Sequence, residues 1–189
     1  FFLHLMHEIT QVAALYEQKK KELAVMDFDD LLNNCRTLLK ENSDVLKTLA
    51  GRFEHILVDE YQDTNIIQAD IVDLLASAHR NLMVVGDDSQ SIYSFRGANF
   101  NNIINFPNRY PDCKIFKLET NYRSTPEILH LANLSINNNE KQFPKALKAV
   151  RKNGMRPVMV SAQNVVKQAD FVAQRVTELI RGGVPLRDI

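Results

Sequence analysis

Little in this 189-residue sequence advertises a partner. Lys and Arg number 23 and Asp and Glu number 23, so the formal net charge is zero. A neutral chain lacks the broad positive field of a dedicated nucleic-acid coat, although a local grip on a strand needs no net charge. Only two cysteines occur, Cys35 and Cys113, far apart and in no metal-binding spacing. That excludes a disulfide framework and a zinc module, and reads as two reduced cytosolic thiols. No apolar run is long enough to cross a bilayer. The opening Phe1-Phe2-Leu3-His4-Leu5-Met6 is apolar but short, with no small-residue cleavage site behind it, and makes a poor signal peptide. With 45% hydrophobic and 24% charged residues, the chain is expected to be soluble, cytoplasmic and free of membrane contact. There is no initiator Met, and Arg187-Asp188-Ile189 follows directly on a Gly-Gly-Val-Pro turn, so both ends read as cuts.

The order of elements points to an α/β fold. Apolar spacing predicts a helix from about Ile9 to Leu23, with Val12, Leu15, Tyr16, Lys19 and Leu23 near one face. Asp27 can cap a second helix from Phe28, with Asp29 and Asp30 in its first turn and Leu31, Leu32, Cys35, Leu38 and Leu39 inward. A short helix is expected over Asp44 to Leu49, ending at Gly51. Then His55-Ile56-Leu57-Val58 and Leu82-Met83-Val84-Val85 read as buried strands around a helix from Ile66 to Ala78, with Ile67, Ile71, Leu74 and Leu75 inward. Both strands end in polar groups, and parallel α/β sheets bind ligands outside those ends. A third strand is expected at Lys114–Leu118. A helix after Ser124-Thr125-Pro126-Glu127 should carry a capping box, and Asn133 to Gly154 should form a surface loop. Arg156–Val160 and a helix from Val165 to Ile180 continue the pattern. No internal repeat or low-complexity linker interrupts it.

Three constellations carry chemistry. In Val58-Asp59-Glu60-Tyr61-Gln62-Asp63-Thr64, adjacent acids at a strand end offer a hard oxygen ligand for Mg²⁺ and a base for water. Such acids also serve as plain punctuation between strand and helix. In Gly86-Asp87-Asp88-Ser89-Gln90-Ser91-Ile92-Tyr93-Ser94-Phe95-Arg96-Gly97-Ala98, Gly86 permits a sharp exit from the strand, and Gln90 can both donate and accept beside a phosphate. Tyr93, Phe95 and Arg96 form an aromatic-basic group on which bases can stack, or else they pack inward. In Asn121-Tyr122-Arg123-Ser124, Arg123 stands just before a helix, where a guanidinium can stabilise phosphate charge or simply remain solvated.

Taken in order, these three segments closely resemble motifs II, III and IV of superfamily 1 DNA helicases of the UvrD/Rep/PcrA type, and Met26-Asp27-Phe28-Asp29-Asp30-Leu31-Leu32 resembles the stretch before motif II. The resemblance is strong from Val12 to Arg123 and looser beyond. It implies an incomplete P-loop NTPase (RecA-like) motor domain with a parallel sheet over residues 1–112, and the beginning of a second over 113–189. It implies ATP and Mg²⁺ as cofactors and single-stranded and duplex DNA as partners. By the same resemblance Asp59 holds Mg²⁺, Glu60 is the general base, and Gln90 contacts the γ-phosphate. Arg123 acts as an arginine finger from the second motor domain, Tyr122 stacks near the adenine, and Tyr93, Phe95 and Arg96 line the single-strand path. The family often has Trp where Phe95 stands, so the stacking face is smaller here. ATP would bind between the two motor domains, and its cycle would open and close them along the strand.

The glycines, at 51, 86, 97, 154, 182 and 183, begin no G-x-x-x-x-G-K-[ST] loop. That loop normally supplies most of the phosphate grip, so this chain by itself is expected neither to hydrolyse ATP nor to unwind DNA. Three other readings stay open at this stage. One is a helicase-nuclease subunit and another a degenerate module that binds DNA or protein. The third is a metal-dependent hydrolase built on Asp59, Glu60, Asp87 and Asp88.

Overall fold

The computed structural model describes residues 2–189, with side chains from Leu5 onward; Phe1 and the side chains of residues 2–4 of the apolar opening lie outside the described residues. The chain divides into two units. Phe1–Lys117 and Asn139–Lys145 form the first, and Leu118–Asn138 and Ala146–Ile189 the second. No helix among the described residues is long and apolar enough to cross a membrane.

The first unit starts with α1 (Phe2–Leu23) and α2 (Phe28–Glu41), joined through Ala24 in the left-handed region at φ 50°. As the sequence leads one to expect, Asp27 caps α2. Its carboxylate accepts from the Asp30 N–H at 2.9 Å, and Asp30 accepts in return from the Asp27 N–H at 3.0 Å. This reciprocal pair satisfies two amides that have no partner within the helix. The apolar face expected on α1 is not what holds it, since Val12 and Leu15 are each 65% exposed. Lys20 is instead nearly covered, with its Nζ 2.7 Å from Glu17, 3.0 Å from Asp27 and 2.7 Å from Asp30. Its charge is matched by three carboxylates, two of which, Asp27 and Asp30, also cap the next helix, so the corner is ionic rather than apolar.

That corner has a pH dependence of known sign. The Asp30 N–H, and after it the Lys20 ammonium, hold the Asp27 carboxyl down at about 2. A folded-state value below the ordinary 3.8 means the stabilisation is complete above about pH 4 and is lost as pH falls toward 2. The Asp30 amide proton shift, followed by NMR, should titrate with a midpoint near 2 and stop doing so in Asp27→Asn.

Beyond α3 (Ser43–Arg52), β1 (Ile56–Val58), α4 (Ile66–Ala76) and β2 (Leu82–Val84) make the expected strand–helix–strand unit. β1 and β2 pair in parallel, with Ile56 opposite Leu82 and Val58 opposite Val84. Asn65 caps α4 in a box with Gln68, in place of the Asp63 or Thr64 that the sequence offered as the cap. Two single turns, α5 (Asn101–Ile104) and α6 (Phe106–Arg109), then fold back over the sheet. Tyr61, Ala69, Ile103 and Phe106 form the core, with Val58, Val84, Tyr110 and Phe143 packed against it. The Tyr61 and Phe106 rings meet edge to face at 5.7 Å, and Phe106 stacks on Tyr110 at 4.7 Å. Arg109 donates to Asp73 at 2.7 Å and to the Tyr61 hydroxyl, while the Tyr110 hydroxyl donates to Asp73 at 2.8 Å, so the polar tips of the buried rings are satisfied.

The second unit pairs β3 (Thr120–Asn121) in parallel with β4 (Lys148–Ala149), around α7 (Pro126–Ile136), and adds α8 (Val165–Arg181) capped by Asn164. Asn133 on α7 donates to the Leu147 carbonyl at 3.0 Å and accepts from its N–H at 3.2 Å, imitating a strand partner.

The architecture is therefore mixed α/β with small parallel sheets. Several local expectations are corrected. Lys114–Leu118 and Arg156–Val160 are not strands, because among the described residues no neighbouring strand pairs with them, and a short apolar run forms a strand only against a partner. The Asn133–Gly154 stretch is not one loop, since α7 runs through Ile136 and Lys148–Ala149 joins a sheet. No capping box forms there, because Thr125 is the cap and its side chain makes no cap hydrogen bond, which leaves Glu127 one position too early; it accepts from the distant Gly154 N–H at 2.9 Å. On α2 only Leu39 is fully covered, while Leu31, Cys35 and Leu38 stay exposed. α1 begins seven residues before Ile9, and α3 passes through Gly51.

Candidate functional site

Pairing in the first sheet continues past the strands, and this is what builds the site. The Val85 N–H donates to the Val58 carbonyl at 2.8 Å, and the Tyr61 N–H to the Val85 carbonyl at 2.9 Å. Asp59-Glu60 and Gly86-Asp87 are thereby delivered side by side at the carboxyl ends of two adjacent parallel strands. Glu60 adopts the left-handed region at φ 51°, ψ 40°, a conformation that strains a residue with a side chain by about 1–3 kcal/mol. The kink turns the chain out of the strand into the 3-10 turn Tyr61–Asp63 and leaves both Asp59 and Glu60 exposed.

Gln62 ties the two loops together. It is 1% exposed, its Nε2 donates to Glu60 at 2.7 Å, and its Oε1 accepts from the Asp87 N–H at 3.0 Å. Its carbonyl accepts from the Ser91 hydroxyl at 3.2 Å. The room for this buried amide comes from Gly86, where a Cβ would stand 2.5 Å from Gln62 Oε1 and 2.8 Å from Ile103 Cδ1. Gln62 stood within the quoted motif without a role, because burial of an amide between strand ends is not visible in sequence. Asn102 was missed altogether; it donates to the Thr64 and Asn65 carbonyls at 2.9 and 3.2 Å and holds α5 against the turn that follows Glu60.

Gln90 sits at the end of the 3-10 turn Asp88–Gln90, exposed, with its Nε2 donating to Asp87 Oδ2 at 2.8 Å. Burial pushes the Asp87 carboxyl up, but Lys145, Gln90 and the Ser89 amide together outweigh it and hold the group below the usual carboxylate range. Lys145 also lies 3.4 Å from Asp88. A cation seated on both acids argues against a metal-dependent hydrolase built on them. Among the described residues no group of three His, Cys, Asp or Glu side chains could hold a metal ion. Asp59 retains a carboxylate oxygen beyond the one that accepts from the Glu60 N–H, which suits Mg²⁺, an ion held by one or two carboxylates plus water and phosphate.

Next along the chain, the aromatic-basic group faces outward. Phe95 is 75% exposed and Tyr93 is 38% exposed, so for Phe95 the inward-packing alternative does not hold. The two rings lie 6.1 Å apart, and the Arg96 guanidinium stands 5.4 Å from each centroid. Gly97, at φ 87°, closes this turn in a conformation that favours glycine. Asp63, Tyr93, Arg96 and Ala98 line a shallow cavity of about 260 Å³.

Tyr122 and Arg123 belong to the second unit. Asn121 accepts from the Arg123 and Ser124 N–H groups at 2.9 and 2.7 Å, so a side-chain turn presents both residues outward ahead of α7. Tyr122 is 75% exposed, and the Arg123 guanidinium has no partner among the described residues.

Comparison with known proteins matches two family models in succession along the chain. The UvrD/REP helicase N-terminal domain matches residues 4–111, and the UvrD-like helicase C-terminal domain matches residues 116–189. The chain is 42% identical over 171 residues to the ATP-dependent DNA helicase PcrA of Leuconostoc citreum, covering 90% of this chain and 23% of that protein. It is 40% identical over 181 residues to PcrA of Staphylococcus aureus (strain Mu50), covering 94% of this chain and 25% of that protein. It is 39% identical over 173 residues to the putative ATP-dependent DNA helicase YjcD of Bacillus subtilis, covering 92% and 23% respectively. The chain thus spans about a quarter of the length of the curated relatives it matches.

Proposed function

The chain belongs to the UvrD/REP helicase family, and from that membership we propose that it forms part of an ATP-dependent DNA helicase, coupling hydrolysis to movement on single-stranded DNA and to unwinding of duplex. In this reading residues 1–112 are part of a P-loop (RecA-like) motor domain and residues 113–189 begin a second. Without a phosphate loop of its own, the 189-residue chain alone neither hydrolyses ATP nor unwinds DNA.

The observation that carries the reading is the Gln62 bridge, which fixes Glu60 and Asp87, and through Asp87 Gln90, at one edge of one sheet. Glu60, exposed and acceptor-only when ionised, takes the proton of the attacking water. Gln90 orients that water or the γ-phosphate. Asp59 would hold Mg²⁺, which when bound to the nucleotide supplies positive charge on the phosphate oxygens. Arg123 offers a planar, always charged donor fork for the same phosphate, and Tyr122 an exposed ring for the adenine. Tyr93, Phe95 and Arg96 form a stacking step for bases that reads no sequence.

The test uses the intact protein. Single-stranded DNA should stimulate its ATP hydrolysis, and Phe95→Ala should weaken binding to an oligothymidylate roughly 5- to 100-fold, as loss of one stacked base does. ATP affinity without DNA should be unchanged. Hydrolysis indifferent to DNA, or full DNA affinity in Phe95→Ala, would speak against the assignment.

A further inference from the structure

The chain on both sides of residues 139–145 belongs to the second unit, yet this segment packs within the first. Phe143 lies against the core, and its N–H donates to Asp88 Oδ2 at 3.3 Å. The segment ends in Lys145, whose largely covered Nζ lies 2.5 Å from Asp87 Oδ1 and 3.4 Å from Asp88 Oδ1. Nothing in the sequence motifs singled this lysine out.

Its surroundings show what it does. The two oxygens of Asp87 are divided: Oδ1 accepts from Lys145 and from the Ser89 N–H, and Oδ2 accepts from Gln90 Nε2. Asp88, next in the chain, is buried. Without a cation, two adjacent acids, one of them out of water, would repel each other, and Asp87 would turn toward solvent. A carboxylate can only accept, so an Asp87 held in place forces the NH₂ end of the Gln90 amide toward it and the oxygen away. The amide oxygen is then the end presented outward, where it can accept from a water O–H.

We propose that Lys145 is a positioning residue for the hydrolytic site, clamping the Asp87 carboxylate so that Gln90 presents its amide oxygen. The proposal rests on the reading of Gln90 given above. It goes beyond it by assigning the orientation of that side chain to a lysine remote in sequence.

The experiment is a kinetic cycle on the intact protein with DNA-stimulated ATP hydrolysis as readout. Lys145→Ala should lower kcat roughly tenfold with KM for ATP within about twofold, because orientation rather than binding is lost. Lys145→Arg, which can span both carboxylates, should recover kcat to within about threefold. In a Gln90→Ala background, Lys145→Ala should add less than about twofold, since residues acting through one another are not additive. A full additional loss there, or no recovery with Arg, overturns the proposal and leaves the helicase reading standing. If Gln90→Ala itself leaves kcat unchanged, the role given to Gln90 falls instead. The side-chain amide resonances of Gln90 in the ¹⁵N-labelled 189-residue chain then decide the clamp separately. Lys145→Ala should shift them and speed their exchange with water, and unchanged resonances would refute it.

Discussion

Glutamine in place of Glu60 should slow ATP hydrolysis by the intact protein by about two to four orders of magnitude, the range for removing a general base. The substitution is close to isosteric, and its amide oxygen can still accept from Gln62 Nε2, which donates to Glu60 at 2.7 Å. The bridge to Asp87 therefore survives, as does the left-handed turn, while the basic oxygen and its charge are lost. KM for ATP and DNA affinity should stay within about threefold, because the removed interaction acts in the transition state. Glu60→Ala would be a poorer probe, since it removes the shorter of the two hydrogen bonds made by the buried Gln62 Nε2, leaving only Asp63 at 3.3 Å, and mixes stability with chemistry. Steady-state kinetics with a parallel thermal melt checks the prediction. A kcat within tenfold of the parent, with an unchanged melt, would remove Glu60 from the base role.

The second large effect is structural. Gly86→Ala places a methyl 2.5 Å from Gln62 Oε1, 2.8 Å from Ile103 Cδ1 and 3.3 Å from the Gln62 backbone nitrogen. Gln62 cannot yield cheaply, because its amide is engaged by Glu60 on one side and the Asp87 N–H on the other. Overpacking of about 1–3 kcal/mol and a broken buried hydrogen bond of about 1–3 kcal/mol combine to an expected loss of roughly 2–6 kcal/mol. Gly51→Ala is the control: a Cβ there meets nothing within 4 Å inside α3, and should stabilise by about 0.5–1 kcal/mol. Urea denaturation of the 189-residue chain distinguishes the two. Equal midpoints would mean the loops relax freely and the Gln62 bridge is not rigid.

Much of the site was legible because its chemistry is local. The order of acids, amide, aromatics and arginine carries the family signature, and polar residues at the ends of Ile56–Val58 and Leu82–Val84 place it at the sheet edge. The Asp27 cap was equally readable, since a capping box joins residues only three positions apart. Where short apolar runs had to choose between strand and coil, at Lys114–Leu118 and Arg156–Val160, no local pattern could decide, because a strand exists only through its neighbour. The apolar faces expected of α1 and α2 failed for a related reason: periodicity says which side chains share a face, and what covers that face is a matter of packing.

By itself, then, the sequence determined the family, the inventory of groups and the strand ends that present them, all set by residues a few positions apart. Only the tertiary structure decided which of those groups hold one another. Gln62 reaches Asp87 across 25 residues, and Lys145 reaches it across 58. The strand at Thr120 finds Lys148 only after α7 has turned the chain around. Such contacts form when non-local pairing and burial offset the entropy of closing long loops, and they leave no periodicity in the sequence from which their register can be read.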